Sequence, residues 1–416
     1  MYPTLYHAFL DLFGVDIPAL KFLNSFGFFV AIAFVAAHYT LASELRRKTG
    51  QGMLKPTQRK VIVGEAPKPM ELAMQALVGF IVGWKLLYIV FNITEVTADP
   101  PAFLLSGKGN FIGGALLGAL FGWMYWRERK KHQREKPDEI TETVPAAQHA
   151  GNITLTAALW GFIGAKLFHW LENPHDFIEL FTSPNAKDIV TGLTMYGGLI
   201  LAGIMVMRYF KKNGLAFWPS VDSAAPGVLL AYGIGRLGCQ VSGDGDWGIA
   251  NTAPAPSWLP GWLWSYDYPN NVNAVIGPHR GGYSGEKMAV CQPGFEDYCT
   301  HLVPGVYPTP LYEMIACVLL FGVLWMLRKR ISRPGIIFSL FLIFDGVERF
   351  FIEKIRVNEL WLGTWTQAEV ISAVLMIAGG FGLWWFARHP DSREEVPDRS
   401  DLSSSSENTA APGDTQ

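Results

Sequence analysis

Apolar residues in this chain come in blocks, not in alternation, and polar residues gather between the blocks. Nine blocks are long enough to span a bilayer as helices: 24–43, 70–92, 109–126, 153–171, 190–210, 221–239, 308–328, 334–352 and 366–387. Basic clusters follow the first, third, fifth and seventh: Arg46-Arg47-Lys48, Arg127 to Lys131, Lys211-Lys212 and Arg328-Lys329-Arg330. The other ends lack them. Because positive charge stays on the cytoplasmic side, this spacing predicts nine spans with the N-terminus outside and the C-terminus inside. The expected fold class is all-α, a polytopic membrane protein of about nine transmembrane helices with a sizeable outside-facing loop region at 240–307.

Two of the helical hairpins resemble each other. GFIVGWKLLYIVF (79–91) matches GFIGAKLFHWLENP (161–174), each with one lysine, Lys85 or Lys166, before aromatics. A glycine pair follows in each case, Gly113-Gly114 and Gly197-Gly198, on a helix that ends in a basic cluster. An ordered match across two elements favours a parallel duplication over chance use of glycine and aromatics. The expected organisation is a first helix and cytoplasmic loop (1–69), an inserted duplicate hairpin with a basic loop (70–150), a core (151–388) and a disordered cytoplasmic tail (389–416).

Composition agrees. Of 416 residues, 50% are hydrophobic and 17% charged, with 15 Trp and 27 Phe, too apolar for an ordinary soluble protein. The net charge of -2 decides nothing, and no basic patch asks for nucleic acid. Four cysteines are too few for a disulfide scaffold. Cys291 and Cys299 share the outside segment, where an oxidising exterior permits a bridge that spacing alone leaves open. Met1 to Leu23 lacks the basic start and small-residue cleavage site of a signal peptide.

The chemistry is expected where charge meets the membrane. In YGIGRLGCQVSGDGDWG (232–248), a glycine-rich helix runs into Arg236, and a polar loop with Ser242, Asp244 and Asp246 follows. An intramembrane arginine is costly and usually has an anionic partner or a function. Gly235 and Gly238 would let a lipid head group or backbone come close. On the eighth span, Arg349, Glu353 and Arg356 stand at i, i+4 and i+7 and so share one helix face near the same outer end. Guanidinium groups suit a phosphate bidentately, so a phosphate at head-group depth is the natural ligand. The alternative is interfacial snorkelling with an Arg–Glu pair. In YPTPLYE (307–313), Pro suits a helix start and Glu313 its first turn, which capping alone would explain. Tyr196 is either a poised hydroxyl or interfacial packing. His169 and His175 show no metal-ligand spacing. Gly233-Ile234-Gly235-Arg236-Leu237-Gly238 follows no strand, so it is not a dinucleotide fingerprint. There is no nucleophile elbow.

Taken in order, these segments carry a resemblance. Gly235-Arg236-Leu237-Gly238 ending in Trp247-Gly248 resembles the signature of bacterial prolipoprotein diacylglyceryl transferases. So do GAKLFHWLENP (164–174), MYGGLI (195–200), YPTPLYE (307–313), ERFFIEKIR (348–356) and TWTQAEVIS (364–372), over roughly 150–385. Ser25-Phe26-Gly27 is similar to the family's opening span. The resemblance implies transfer of a diacylglyceryl group from phosphatidylglycerol to the lipobox cysteine of a preprolipoprotein in the bacterial inner membrane, with the active site on the periplasmic face. It implies no cofactor and no metal.

By that resemblance Arg236, Arg349 and Glu353 take the family's catalytic positions, with Asp244 or Asp246 near its signature glutamate. Gly197, Gly198, Gly235, Gly238, Cys239, Ser242, Tyr312, Glu313, Asp345 and Arg356 would contact substrate. Four positions depart from the pattern: Tyr196 replaces a histidine, Cys239 an asparagine, and Asp345 and Phe26 each a tyrosine. A phenol is protonated at neutral pH, so Asp244, Asp246 or Asp345 is the alternative proton acceptor. A phospholipid-binding or transport protein on the same scaffold is the competing expectation, but transporter repeats surround a midplane site, whereas these charges gather at one interface.

Overall fold

A computed structural model describes residues 1–98, 103–104, 106–182 and 192–389. The tail beyond His389 lies outside the described residues. A short amphipathic helix, α1 (Leu5–Phe13), leads. Each apolar block then forms a helix: α2 (Ser25–Gly50), α3 (Pro69–Phe91), α4 (Phe111–Lys131), α5 (His149–Glu172), α6 (Met195–Lys212), α7 (Phe217–Ser242), α8 (Thr309–Leu327), α9 (Ile336–Glu353) and α10 (Gln367–Arg388). Three of the four basic clusters continue helices, so α2 runs through Arg46, Arg47 and Lys48, whereas Arg328-Lys329-Arg330 forms the turn after α8. Among the described residues, α2, α3, α8 and α10 are long and apolar enough to cross a membrane by length and composition. Hydropathy alone does not mark α9, which carries Asp345, Glu348, Arg349 and Glu353 within 18 residues. Large apolar side chains such as Leu86, Val90, Phe91, Leu319, Met326 and Ile377 are exposed, a surface suited to lipid rather than water.

The helices pack in pairs: α2 on α7, α7 on α8, α9 on α10, α5 on α6 and α3 on α4. Buried charge ties the helix ends that carry the basic clusters together. Glu44 accepts Arg47 at 2.7 Å and Arg328 at 2.6 Å. Lys48 lies 3.5 Å from Asp222, which also accepts the backbone N–H groups of Gly335 and Phe338 at 2.8 Å. Buried charges persist when they are paired in this way.

The fold is mostly helical, as expected, with short strands added to it. Residues 240–307 hold an antiparallel three-stranded sheet, β3 (Gly277–Pro278), β4 (Ser284–Lys287) and β5 (Thr300–Val303). Cys291 and Cys299 are bridged beside it. Strands of two to four residues are too short to write a period-2 pattern. Two strands lie where loops are expected, β1 (Thr57–Val63) in the cytoplasmic loop and β2 (Asp138–Val144) in the basic loop, and they pair antiparallel in full register. They close the base of the α3–α4 hairpin, helped by a Lys60–Glu139 pair at 2.9 Å. A last pair, β6 (Leu360–Leu362) and β7 (Trp365–Thr366), leads into α10, whose start is a capping box of Thr366 and Glu369.

The two similar hairpins share a crossing. A Cβ on Gly83 would lie 2.1 Å from the Gly113 carbonyl oxygen, and one on Gly164 would lie 2.4 Å from that of Gly197. The residue before each lysine accepts the same bond: Asn110 N–H donates to Trp84 O at 2.8 Å, and Thr194 N–H to Ala165 O at 3.0 Å. Glycines therefore bring the backbones together, as small residues do in membrane helix pairs. Gly164→Ala should cost about 1–3 kcal/mol of stability by overpacking. Gly203→Ala on the same hairpin, with nothing within 4 Å of its Cβ, should cost nothing. Thermal midpoints in detergent would show this, and equal midpoints would contradict the crossing.

Candidate active site

Three arginines converge on Glu313, whose side chain is fully buried. Arg236 comes from α7, Arg349 from α9, Arg356 from just beyond α9, and Glu313 from α8. Arg236 Nε lies 2.6 Å from Glu313 Oε2, off the N–H direction, so the contact is ionic without a directed hydrogen bond. Arg356 Nη1 donates to Glu313 Oε1 at 2.9 Å. Arg349 Nη1 stands 3.6 Å from Glu313 Oε2, and its Nη2 stands 3.5 Å from Glu353 Oε2. The Tyr232 hydroxyl donates to Glu313 Oε2 at 2.5 Å, and the Arg236 guanidinium lies 5.0 Å from that ring's centroid.

Asp246 closes the other side. It pairs with Arg236 through Oδ2 and accepts Arg356 Nη2 at 2.9 Å through Oδ1. Its side chain is 37% exposed, against 0% for Glu313 and Glu353, so it forms the rim. The neighbouring indole, Trp247, is buried against Tyr268 and Tyr283 in a cluster with Leu302 and Val306, which anchors the loop. The Gly248 N–H donates to Tyr307 O and Ile249 N–H to Ile355 O, both at 2.9 Å. Gly248 must be glycine, since a Cβ would meet Ile355 O at 2.4 Å.

Several expectations change. Arg236 does not end its helix, because α7 continues to Ser242, which is a buried helical residue donating to Cys239 O at 3.4 Å. The turn to the loop comes at Gly243, in the left-handed region at φ 67°. Arg349 and Glu353 do share a face of α9, but Arg356 lies beyond the helix, in an antiparallel bridge with Gly248. It reaches the cluster through strand pairing instead of helical spacing. Glu313 sits past the first turn of α8, so it is no cap. Tyr312, beside it, donates to Leu263 O at 2.5 Å and so ties down the loop helix Gly261–Trp264.

The glycines also differ from expectation. Gly238 faces α2, with a Cβ 3.0 Å from Phe29, and Gly197 and Gly198 face α5. Their missing side chains admit neighbouring helices instead of a head group. Gly235 alone of these has open space.

Tyr196 faces the charges of Arg349, Glu353 and Arg356. Cys239 Sγ lies 3.7 Å from Asp246 Oδ2. Ligand atoms of Cys239, Asp244 and Asp246 fall within 4.8 Å of one another, but a cation there would have to displace two arginines from Asp246. His169 is paired with Asp176 at 3.1 Å. Asp345 is a neighbour of Arg349 and Glu313. The sequence reading missed Tyr232, although its i−4 spacing from Arg236 was a usable signal. It also missed Glu348, whose buried carboxylate oxygens have no hydrogen-bond partner among the described residues.

Burial opposes charge on Asp246, but Arg236 and Arg356 outweigh it and hold its carboxyl below the usual range. Burial, and then the charge of Asp246, push Asp244 upward. The two loop carboxylates are thus driven apart, as acid–base pairs often are.

The family profile described as prolipoprotein diacylglyceryl transferase matches residues 141–385. A phosphatidylglycerol–prolipoprotein diacylglyceryl transferase of Corynebacterium glutamicum is 30% identical over 260 residues, 60% of this chain and 75% of the relative. The Thermus thermophilus protein of that name is 30% identical over 244 residues, 54% of this chain and 78% of the relative. The one from Corynebacterium diphtheriae is 29% identical over 245 residues, 58% and 78%.

The Asp246 pairs contribute stability that is whole above the ordinary carboxylate pKa of about 4 and lost as pH falls through the lower folded value. Wild type should therefore be more stable than Asp246→Asn at pH 6, and the gap in thermal midpoint should close on acidification below about pH 4. A gap that stays constant into acid would show that Asp246 is not held charged by the arginines.

Proposed function

The chain belongs to the prolipoprotein diacylglyceryl transferase family, and on that premise we propose that its Arg236–Arg349–Arg356 cluster holds the phosphate of phosphatidylglycerol during transfer to a lipobox cysteine. The observation that carries this is the convergence of three guanidinium groups on one buried carboxylate.

In the reaction, the thiolate of the preprolipoprotein cysteine attacks the glyceryl carbon that bears the phosphate. A C–S bond forms, the C–O bond breaks, and glycerol phosphate leaves with one more negative charge. Donors already aimed at that charge lower the barrier without reorganising. The site is balanced before lipid arrives, with three arginines facing Glu313, Glu353 and Asp246. The entering phosphodiester must displace a carboxylate, and Asp246 at the rim is the one free to give way. Glu313 and Glu353 stay and keep the arginines aimed.

The thiol must lose its proton before attack. Asp244 is the proposed acceptor. It is spared from arginine pairing, accepting the Asp246 N–H at 3.4 Å and a hydrogen bond from the Cys239 thiol, and its raised pKa makes it a better base than Asp246. Tyr196 then orients the phosphate or Arg349. The cysteine comes from the substrate, so neither Cys239 nor Cys317 need react.

A membrane protein with nine spans, N-terminus outside and the cluster on the periplasmic side of the inner membrane, fits the alternating basic ends. The bridged Cys291–Cys299 pair, in the region that anchors Asp246, suits that oxidising side. Residues 70–126 are proposed as an inserted duplicate. The family match begins beyond them, and β1 and β2 hold the ends of the insert together.

The test is mass spectrometry of a lipobox peptide incubated with phosphatidylglycerol and purified protein. A mass gain of one diacylglyceryl group is expected, and its absence with folded protein would overturn the reading. Arg236→Lys should lose most turnover, because lysine keeps charge but loses planar two-point contact. Near-wild-type turnover would leave Arg236 a helix anchor. Asp244→Asn should slow the reaction more than Tyr196→Phe and flatten the acid limb of the pH–rate profile. If Asp244→Asn keeps the wild-type profile while Tyr196→Phe is dead, the phenol is the essential group.

A further inference from the structure

Helix α6 starts beside the arginine cluster at Tyr196 and ends at Lys212, about 24 Å away at 1.5 Å per residue. At this far end, α5 and α6 enclose an open groove of about 580 Å³. Its wall is apolar toward the middle of the helices, at Trp160 and Met205, and basic at the end, at Arg208, Lys211 and Lys212. None of these three cations forms an ion pair among the described residues, and all three are exposed.

Other basic helix ends differ. Arg47 and Arg328 are taken by Glu44, Arg129 by Glu71, and Arg127 and Lys130 lie over tryptophan rings. The α6 end combines these free cations with a cavity. Its wall is also fixed: Tyr209 OH meets His149 Nδ1 at 2.8 Å, and His149 Nε2 meets Thr57 Oγ1 at 2.8 Å.

We propose that this groove is a second, non-catalytic binding site for an anionic phospholipid. The phosphate would sit among Arg208, Lys211 and Lys212, and the acyl chains would run along Trp160 and Met205. Charge complementarity selects the occupant. A zwitterionic head group brings its own cation to the rim, whereas an anionic one neutralises the three free charges. A tyrosine at head-group level, Tyr209, is what a lipid interface favours. The inference rests on the membrane reading and not on the reaction.

The experiment is native mass spectrometry of the full-length protein in detergent, titrated with dioleoyl phosphatidylglycerol or dioleoyl phosphatidylcholine. Wild type should bind phosphatidylglycerol at two sites, one weakened by Arg236→Lys and the other by Arg208→Gln/Lys211→Gln/Lys212→Gln. Each lost charge near a membrane surface is worth about fivefold, so the triple variant should weaken its site on the order of 100-fold. Phosphatidylcholine should not fill that site. Transferase turnover of the triple variant should match wild type, so failure of the proposed reaction would not be confused with failure of this site. If the triple variant does not fold, the single variants Lys211→Gln and Lys212→Gln, at exposed positions, should each give about a fivefold loss. Unchanged phosphatidylglycerol binding in the variants, or equal binding of phosphatidylcholine at this groove, would overturn the proposal.

Discussion

Three guanidinium groups cannot share a buried pocket without a counter-charge, and Glu313 supplies it. Two like charges 4 Å apart repel by about 4 kcal/mol at an effective dielectric of 20. Glu313 touches Arg236, Arg349 and Arg356, and takes the Tyr232 hydroxyl as well. Its helix, α8, packs between α7 and α9, the two elements that carry the first two arginines. The position of one carboxylate thus decides where three cations point. A lone glutamate would be as costly in this place as a lone arginine.

The second requirement is the folded region between α7 and α8. It supplies Asp246, and it also fixes Arg356, which no longer has helical geometry to hold it. The Gly248–Arg356 bridge and the buried Trp247–Tyr268 contact do this work. Tyr268 holds a positive φ of 46°, rare for a bulky residue, while its hydroxyl donates to Gln240 at 2.7 Å. Strain of this kind survives only where surroundings over-determine the backbone. A helical bundle and a small sheet are therefore joined through the site itself.

The helices were legible because a bilayer imposes long apolar runs and charge bias at their ends. All nine blocks became helices, within a turn or two at their boundaries. The residue types of the site were legible for the same reason, since Arg236 and Arg349 are costly where they stand. Their partners were not. Glu313 and Asp246 meet Arg356 across 43 and 110 residues of sequence, and no local period encodes such pairs. Arg356 was found for the wrong reason, since its i+7 spacing suggested a helix that had already ended. Gly197, Gly198 and Gly238 meet neighbouring helices, and no sequence pattern separates this use from ligand contact, because a close helix crossing and a close ligand ask for the same residue.

The most direct test is a structure of the protein with phosphatidylglycerol bound. The phosphate should lie within hydrogen-bond distance of Arg236, Arg349 and Arg356, with Asp246 turned away and Glu313 still in contact with all three arginines. A phosphate bound elsewhere, with Asp246 still paired to Arg236 and Arg356, would contradict the account.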